Sequence, residues 1–232
     1  MRTILATTVI LAVGLFVSEK AFGQCYEGPA EGTPIFNGKD LSGWVVEGAG
    51  EYEADGQRKP VWRVEDGKIV CDGHGFGFLR YDTPFRDFVL HVEFRMISKN
   101  CNSGVGIRGA KFDPKHFETR PSVSGYEVQI LDDSGKKPDK HSSGSLYRYI
   151  APKKNAVKPT GEWNVLEIAC LGPVVRVVLN GEELYTIDQR DIDELSEKPL
   201  EGYVSVQNHG HQVEFRNITV REMQRVASRR CR

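Results

Sequence analysis

The chain has 232 residues, 39% of them hydrophobic and 27% charged, with a formal net charge of −1 at pH 7. That length can bury one sizeable core, and the near balance of charge excludes a general pull toward nucleic acid or acidic membrane surfaces. Five cysteines, Cys25, Cys71, Cys101, Cys170 and Cys231, follow no Cys-x-x-Cys or Cys/His pattern, so no zinc-site spacing is present.

The chain opens on Met1-Arg2, a short positive stretch, followed by an apolar run over residues 4–17 that only Thr7, Thr8 and Gly14 interrupt. Ala21-Phe22-Gly23 then offers small residues where a signal peptidase reads, so residues 1–23 read as a secretory signal peptide. The run is too short for the roughly 20 apolar residues of a membrane span. The expected product is exported, periplasmic or extracellular, with no stable membrane insertion. Export permits disulfides. Cys25 and Cys231 lie near the mature ends and are expected to bridge, whereas Cys71 and Cys170 sit in apolar runs and read as core.

Residues 24–33 form a leader without periodicity, and 34–222 the single folded domain. Phe36, Leu41 and Trp44 bracket the turn chemistry of Asn37-Gly38-Lys39-Asp40 and should pin the first loop to the core. Residues 61–64 and 68–71 flank Asp66-Gly67, a hairpin signal. Residues 78–80 read as a short strand. Residues 88–96 alternate cleanly, with Phe88, Leu90, Val92, Phe94 and Met96 on one face. Further strands are expected at 102–108, 125–131, 163–170 and 174–179, the last turning at Asn180-Gly181 into 183–187. Residues 188–198 are acidic, a loop or at most one helical turn. Strands at 202–209 and 212–220 close the domain, and a parity change between Phe215 and Ile218 calls for a bulge near Arg216-Asn217. The tail at 223–232 is basic. No amphipathic helix or fixed-period repeat is visible. About a dozen short strands separated by turns imply an all-β domain of two antiparallel sheets packed face to face.

The stretch 102–147 carries the candidate site. Val105 and Ile107 point one way, and Asn102, Gly104, Gly106 and Arg108 the other. Tyr126, Val128 and Ile130 likewise oppose Glu127 and Gln129. Paired glycines beside a guanidinium, a carboxylate and amides describe a floor with room above it. In 202–209, Val204 and Val206 face the core, which leaves Gln207 and His209 for the same floor; Tyr147 can add an aromatic plate. Loops 109–124, 133–143 and 149–162 follow these strands and are long enough to wall the floor. Two-carboxylate glycoside hydrolysis is disfavoured: Glu127 and Asp132 are five residues apart on a strand, roughly 16 Å and on opposite faces, against about 5–5.5 Å for a retaining pair.

Several phrases occur in order: Phe36-Asn37-Gly38-Lys39-Asp40-Leu41-Ser42-Gly43-Trp44, Asn102-Ser103-Gly104, Tyr126-Glu127-Val128-Gln129-Ile130, Gly144-Ser145-Leu146-Tyr147, Gly161-Glu162-Trp163-Asn164, Leu179-Asn180-Gly181, Gln207-Asn208-His209-Gly210 and Phe215-Arg216-Asn217-Ile218. Across residues 34–222 this resembles the 3-keto-disaccharide hydrolase family. The resemblance implies a concanavalin A-like jelly-roll sandwich and cleavage of 3-keto-glycosides by elimination and hydration. That chemistry needs a base, an enolate stabiliser and a proton donor. Under it Glu127 and His209 are the candidates for base or acid, with Arg108 against the enolate oxygen. Asn102, Gln129, Tyr147 and Gln207 would hold the sugar. A divalent metal ion would be a further way to share the enolate charge; Glu127, His209 and Asp132 carry suitable atoms, although no ligand spacing supports one. The rival expectations are a non-catalytic, lectin-like carbohydrate-binding module on the same fold and a cell-surface interaction protein.

Overall fold

A computed structural model of the protein describes residues 25–226. The expected signal peptide, Cys231 and the end of the basic tail lie outside the described residues. The first half contains β1 (Tyr26–Glu27), β2 (Thr33–Pro34), β3 (Trp44–Gly48), β4 (Glu51–Ala54), β5 (Gln57–Pro60), β6 (Trp62–Glu65), β7 (Lys68–Cys71), β8 (Gly77–Tyr81) and β9 (Phe88–Met96). The second contains β10 (Asn102–Gly109), β11 (Tyr126–Leu131), β12 (Asn164–Leu171), β13 (Val174–Leu179), β14 (Glu182–Asp188), β15 (Tyr203–Asn208), β16 (Val213–Glu222) and β17 (Gln224–Arg225). Among the described residues helix is confined to single turns, α1 (Pro121–Ser124), α2 (Asp193–Ser196) and two 3-10 turns at Phe117–Thr119 and Gln189–Asp191.

Two antiparallel sheets make the sandwich. One has five strands in the order β11-β10-β15-β8-β3; the other runs β14-β13-β12-β9-β16-β7-β6, with β2 added beside β16. The alternation read from the sequence selects the inner faces. Phe88, Leu90, Val92, Phe94 and Met96 of β9 are buried to 1% exposure or less, as are Leu166, Ile168, Val177, Val213 and Phe215 of the same sheet. Val105, Ile107, Tyr126, Val128, Ile130, Val204 and Val206 meet them from the five-stranded sheet. Each such side chain contributes about 1.5–3 kcal/mol on burial, so a one-residue slip in any of these strands would forfeit several at once. This arrangement is the concanavalin A-like jelly-roll sandwich.

The turns follow their chemistry. Asp66 and Gly67, and Asn180 and Gly181, all have positive φ, as a two-residue type I′ hairpin turn requires. A third hairpin, β4–β5, turns at Asp55-Gly56; its strands are polar, so no apolar alternation announces it. In β16 the pairing with β9 slips between Arg216 and Thr219, and Asn217 takes φ 50°. This is the bulge expected from the parity change, and it lets Phe215 and Ile218 both reach the core. Trp44 donates its indole N–H to Ile35 O at 2.8 Å and, with Phe36, is buried, which pins the first loop. The chain ends meet: Tyr26 pairs with Arg225 across β1 and β17, and Cys25 is disulfide-bonded. Cys71, Cys101 and Cys170 are free and buried.

Candidate active site

The outer face of the five-stranded sheet collects the polar residues that the alternation assigns there. Register places Gln129 opposite Gly104 and Glu127 opposite Gly106; Gly106 in turn faces Ser205. Gln207 pairs with Phe78, Ser205 with Arg80, and these with Glu47 and Val45 of β3. The face is therefore continuous from Glu127 to Glu47.

The two glycines do not leave open room. A Cβ on Gly104 would stand 2.7 Å from Glu127 Oε1, so the carboxylate lies across that glycine. A Cβ on Gly106 would stand 2.7 Å from Cβ of Pro121, the first residue of α1. Both glycines are there for close approach, one to a side chain and one to a covering loop.

Glu127 is only 5% exposed. Burial pushes its pKa up to about 7, against the pull of the Gln207 amide, the Ser122 hydroxyl and the charges of Arg148 and Arg120. The Gln129 amide satisfies its surroundings when its nitrogen points to Glu127 Oε1 (3.2 Å) and Ser103 O (2.9 Å). Asn102 lies at the other end of that amide, 3.3 Å away. Three buried polar atoms here, Ser145 Oγ, Ser205 Oγ and Gln207 Oε1, have no partner within the protein. Buried polar groups normally find one, so three unsatisfied atoms on one patch set it apart from the structural core.

The face is closed at its β3 end. Arg80, 3% exposed, donates to Glu47 (2.6 Å) and Asp82 (2.8 Å) and stacks on Tyr203 at 4.3 Å. The second Glu47 oxygen accepts from Phe112 N at 2.8 Å, which ties the 109–120 loop down over β8 and β3. The remaining polar patch lies over β11, β10 and β15. Tyr147 borders it on one side: its N–H donates to Glu127 O at 2.9 Å, and its half-buried ring meets His141 at 5.3 Å. His209 borders it on the other, exposed and edge-on to Phe76 at 5.3 Å.

Asn102, Glu127, Gln129 and Gln207 thus come together as expected, with Tyr147 and His209 at the rim. Arg108 does not join them. The β10–β15 register slips between Gly106 and Gly109, and Arg108 takes φ 52°. The extra residue of that bulge turns Arg108 to the core side with Ile107. There it is fully buried, donates from Nη2 to Arg86 O at 2.7 Å, and leaves Nε and Nη1 unpaired. It cannot face an enolate above the floor, so that expectation is withdrawn. Simple period-two counting missed the slip because nothing in Gly106-Ile107-Arg108-Gly109 breaks the alternation.

Loop 109–124 walls the floor as expected, through Pro121, Ser122 and Arg120. Loop 149–162 does not. Lys153 N donates to Leu184 O, Ala156 O accepts from Asn180 Nδ2, and Gly161 N donates to Met96 O, so it runs along the other sheet. Sequence reading missed Arg120, Ser122 and Arg148. Their signal was position alone, within or beside the loop and aromatic already singled out. The three suggested metal donors do not converge: Asp132 accepts from Asn100 N at 2.9 Å at the end of β11, and among the described residues no three His, Cys, Asp or Glu side chains are grouped to hold a metal.

A second, open groove of about 1210 Å³ lies on the outer face of the eight-stranded sheet, with His91 4.0 Å from both Glu93 and Glu167. Its groups are already engaged. Glu93 accepts from Arg216 (2.7 Å) and Asn217 (2.8 Å), and Asn180 serves Val165 N and Ala156 O. The unpaired polar atoms of the Glu127 patch make that patch the stronger candidate.

Comparison with known proteins gives the chain its relatives. A curated 3-keto-disaccharide hydrolase of Bacteroides thetaiotaomicron is 28% identical over 229 residues, covering 81% of this chain and 77% of that protein. The crystal structure of a putative glycosyl hydrolase from Parabacteroides distasonis matches with a TM-score of 0.65 at 24% identity, over 83% of this chain and 99% of the other. A Bacillus subtilis protein of unknown function with a galectin-like fold matches with a TM-score of 0.53 at 14% identity, over 87% of this chain and all of the other, a likeness of fold alone. With residues 31–221 matching its family model, the chain belongs to the 3-keto-alpha-glucoside-1,2-lyase-like domain family.

Proposed function

We propose that the protein is an exported enzyme that cleaves 3-keto-glycosides by elimination followed by hydration. The observation that carries this reading is Glu127, a carboxyl at the bottom of a polar patch whose proton equilibrium lies near neutrality. A general base works best with a pKa near the operating pH. The charges that act most on it belong to Arg148 and Arg120; that arrangement suits proton abstraction better than paired-carboxylate hydrolysis.

The C3 ketone acidifies the C2 proton. Glu127 takes that proton, and the C–H pair becomes the C2–C3 double bond of an enolate whose charge sits on the C3 oxygen. Arg120 and Arg148 supply positive charge on that side. Collapse of the enolate restores the ketone, forms C1=C2 and expels the C1 oxygen, which takes a proton from His209 at the rim. Water then adds across C1=C2, its hydroxyl to C1 and a proton to C2, to yield the free 3-keto sugar. Asn102, Gln129 and Gln207 hold the hydroxyls, and Ser145 and Ser205 offer two further hydroxyls. The family match and the name of the Bacteroides relative support the substrate class. The disulfide at Cys25 fits the oxidising compartment that export implies.

The test is turnover of a synthetic 3-keto-glucoside, followed by release of the C1 substituent. Wild type should release it, with transient 3-keto-glucal. Glu127→Gln should abolish release, and His209→Ala should slow it. Sugar binding without release by the wild type would replace this reading with that of a lectin-like module.

A further inference from the structure

We propose that the group leaving from C1 is an apolar, aryl-type aglycone, seated on a wall formed by Phe117, Phe76 and His209. The inference rests on the elimination reading and specifies the substrate for it.

Phe117 is the one aromatic side chain among the exposed large hydrophobics of the described residues, at 48% exposure. It is held in place from behind. Its ring meets Phe76 at 5.2 Å and Phe112 at 5.9 Å, and the Arg120 guanidinium lies 4.5 Å from its centroid. Phe76 continues the wall edge-on to His209 at 5.3 Å and to Phe78 at 5.5 Å. Phe78 and Phe112 are buried, so the exposed rings stand on a fixed base. Scattered exposed apolar side chains need no explanation, but one built onto an aromatic cluster is a different case.

Both ends of this wall lead to Glu127. The 3-10 turn carrying Phe117 runs through Arg120, whose charge acts on Glu127, into Pro121, which covers Gly106. His209 lies two residues along the chain from Gln207, whose amide bears on the same carboxyl. The opposite side of Glu127 has a different character. Tyr147, His141, Arg148 and the unpaired Ser145 hydroxyl gather there. A sugar ring needs donors and acceptors for its hydroxyls; the two phenylalanine rings of this wall provide none. The keto-sugar therefore belongs on the Tyr147 side and the leaving group on the Phe117 side. His209 closes the Phe117 wall at the rim of the patch, where the departing oxygen needs its proton.

Two 3-keto-glucosides test this, one bearing 4-methylphenyl at C1 and one bearing glucosyl. Wild type, Phe117→Ala and Phe117→Tyr are each compared on the same substrate, so intrinsic leaving-group reactivity cancels. Phe117→Ala should lower kcat/KM for the aryl substrate about tenfold more than for the glucosyl one, chiefly through KM, equivalent to about 1.4 kcal/mol. Phe117→Tyr keeps the ring and should stay near wild type on the aryl substrate. Circular dichroism of each variant confirms folding. Equal losses on both substrates, or wild-type turnover of the glucosyl substrate alone, would overturn the aryl subsite and leave the elimination reading standing. Turnover of neither substrate by the wild type would overturn the elimination reading and the subsite with it.

Discussion

Glu127 is ionised at neutral pH only against the penalty of its burial, and that has a measurable consequence. An acid whose pKa rises from 4.5 to about 7 on folding is protonated in the native state and ionised in the unfolded chain between those values. The native state then binds more protons, so stability falls as pH rises through that window, and the loss is complete above it. Denaturant titrations from pH 4.5 to 8 should show this slope in wild type and not in Glu127→Gln. At pH 8 the variant should be the more stable protein, by up to about 3 kcal/mol. Turnover should move the other way, because a base must be ionised: the acid limb of kcat/KM should climb as pH rises to about 7. Gly104→Ala makes a related residue-scale prediction. The new methyl would collide with the Glu127 side chain, at Oε1, Cγ and Cδ, and not with backbone. Melting temperature should therefore change by only a few degrees while kcat falls about tenfold or more, since small misplacement of a catalytic group is costly.

At the scale of elements, bulges decide which residues reach the site. The bulge in β16 was legible, because Val213 and Phe215 on one parity and Ile218 and Val220 on the other require it. The bulge in β10 was not, because Ile107 and Arg108 are each acceptable on either face until a neighbouring strand fixes the register. Arg108→Met tests the outcome. The folded variant should keep kcat/KM within about threefold of wild type, with its effect confined to stability, as for a buried charge remote from the reacting atoms. A loss of tenfold or more in well-folded protein would mean that Arg108 acts on the site after all. Hairpins with Asp-Gly or Asn-Gly turns between apolar strands were readable from local chemistry, whereas β4–β5 was not, since Gln57-Arg58-Lys59-Pro60 buries little. Loop 109–124 shows the same limit: its length pointed to a role, but only its path over β8 brings Arg120 and Ser122 to Glu127.

At the scale of the molecule, the first and last described strands are tied together. Cys25 is disulfide-bonded and β1 pairs with β17. A non-reduced peptide map should link Cys25 to Cys231, as the sequence leads one to expect, and leave Cys71, Cys101 and Cys170 as thiols. That bridge would close a long loop and stabilise mainly by restricting the unfolded chain. Cys25→Ser should therefore lower stability by about 2–4 kcal/mol with little effect on turnover, because the ends pair away from the Glu127 face.

The sequence alone determined the all-β sandwich, the strands of its core and the face on which Glu127, Gln129 and Gln207 lie. Period-two alternation and turn chemistry are local, so they survive without knowledge of what packs where. Tertiary structure decided which cations stand beside the carboxyl, that Arg108 turns inward, that Gly104 lies under the carboxylate, and that loop 149–162 serves the other sheet. Those facts depend on strand register and loop path. Both are set by contacts between residues far apart in the chain, which no local pattern encodes.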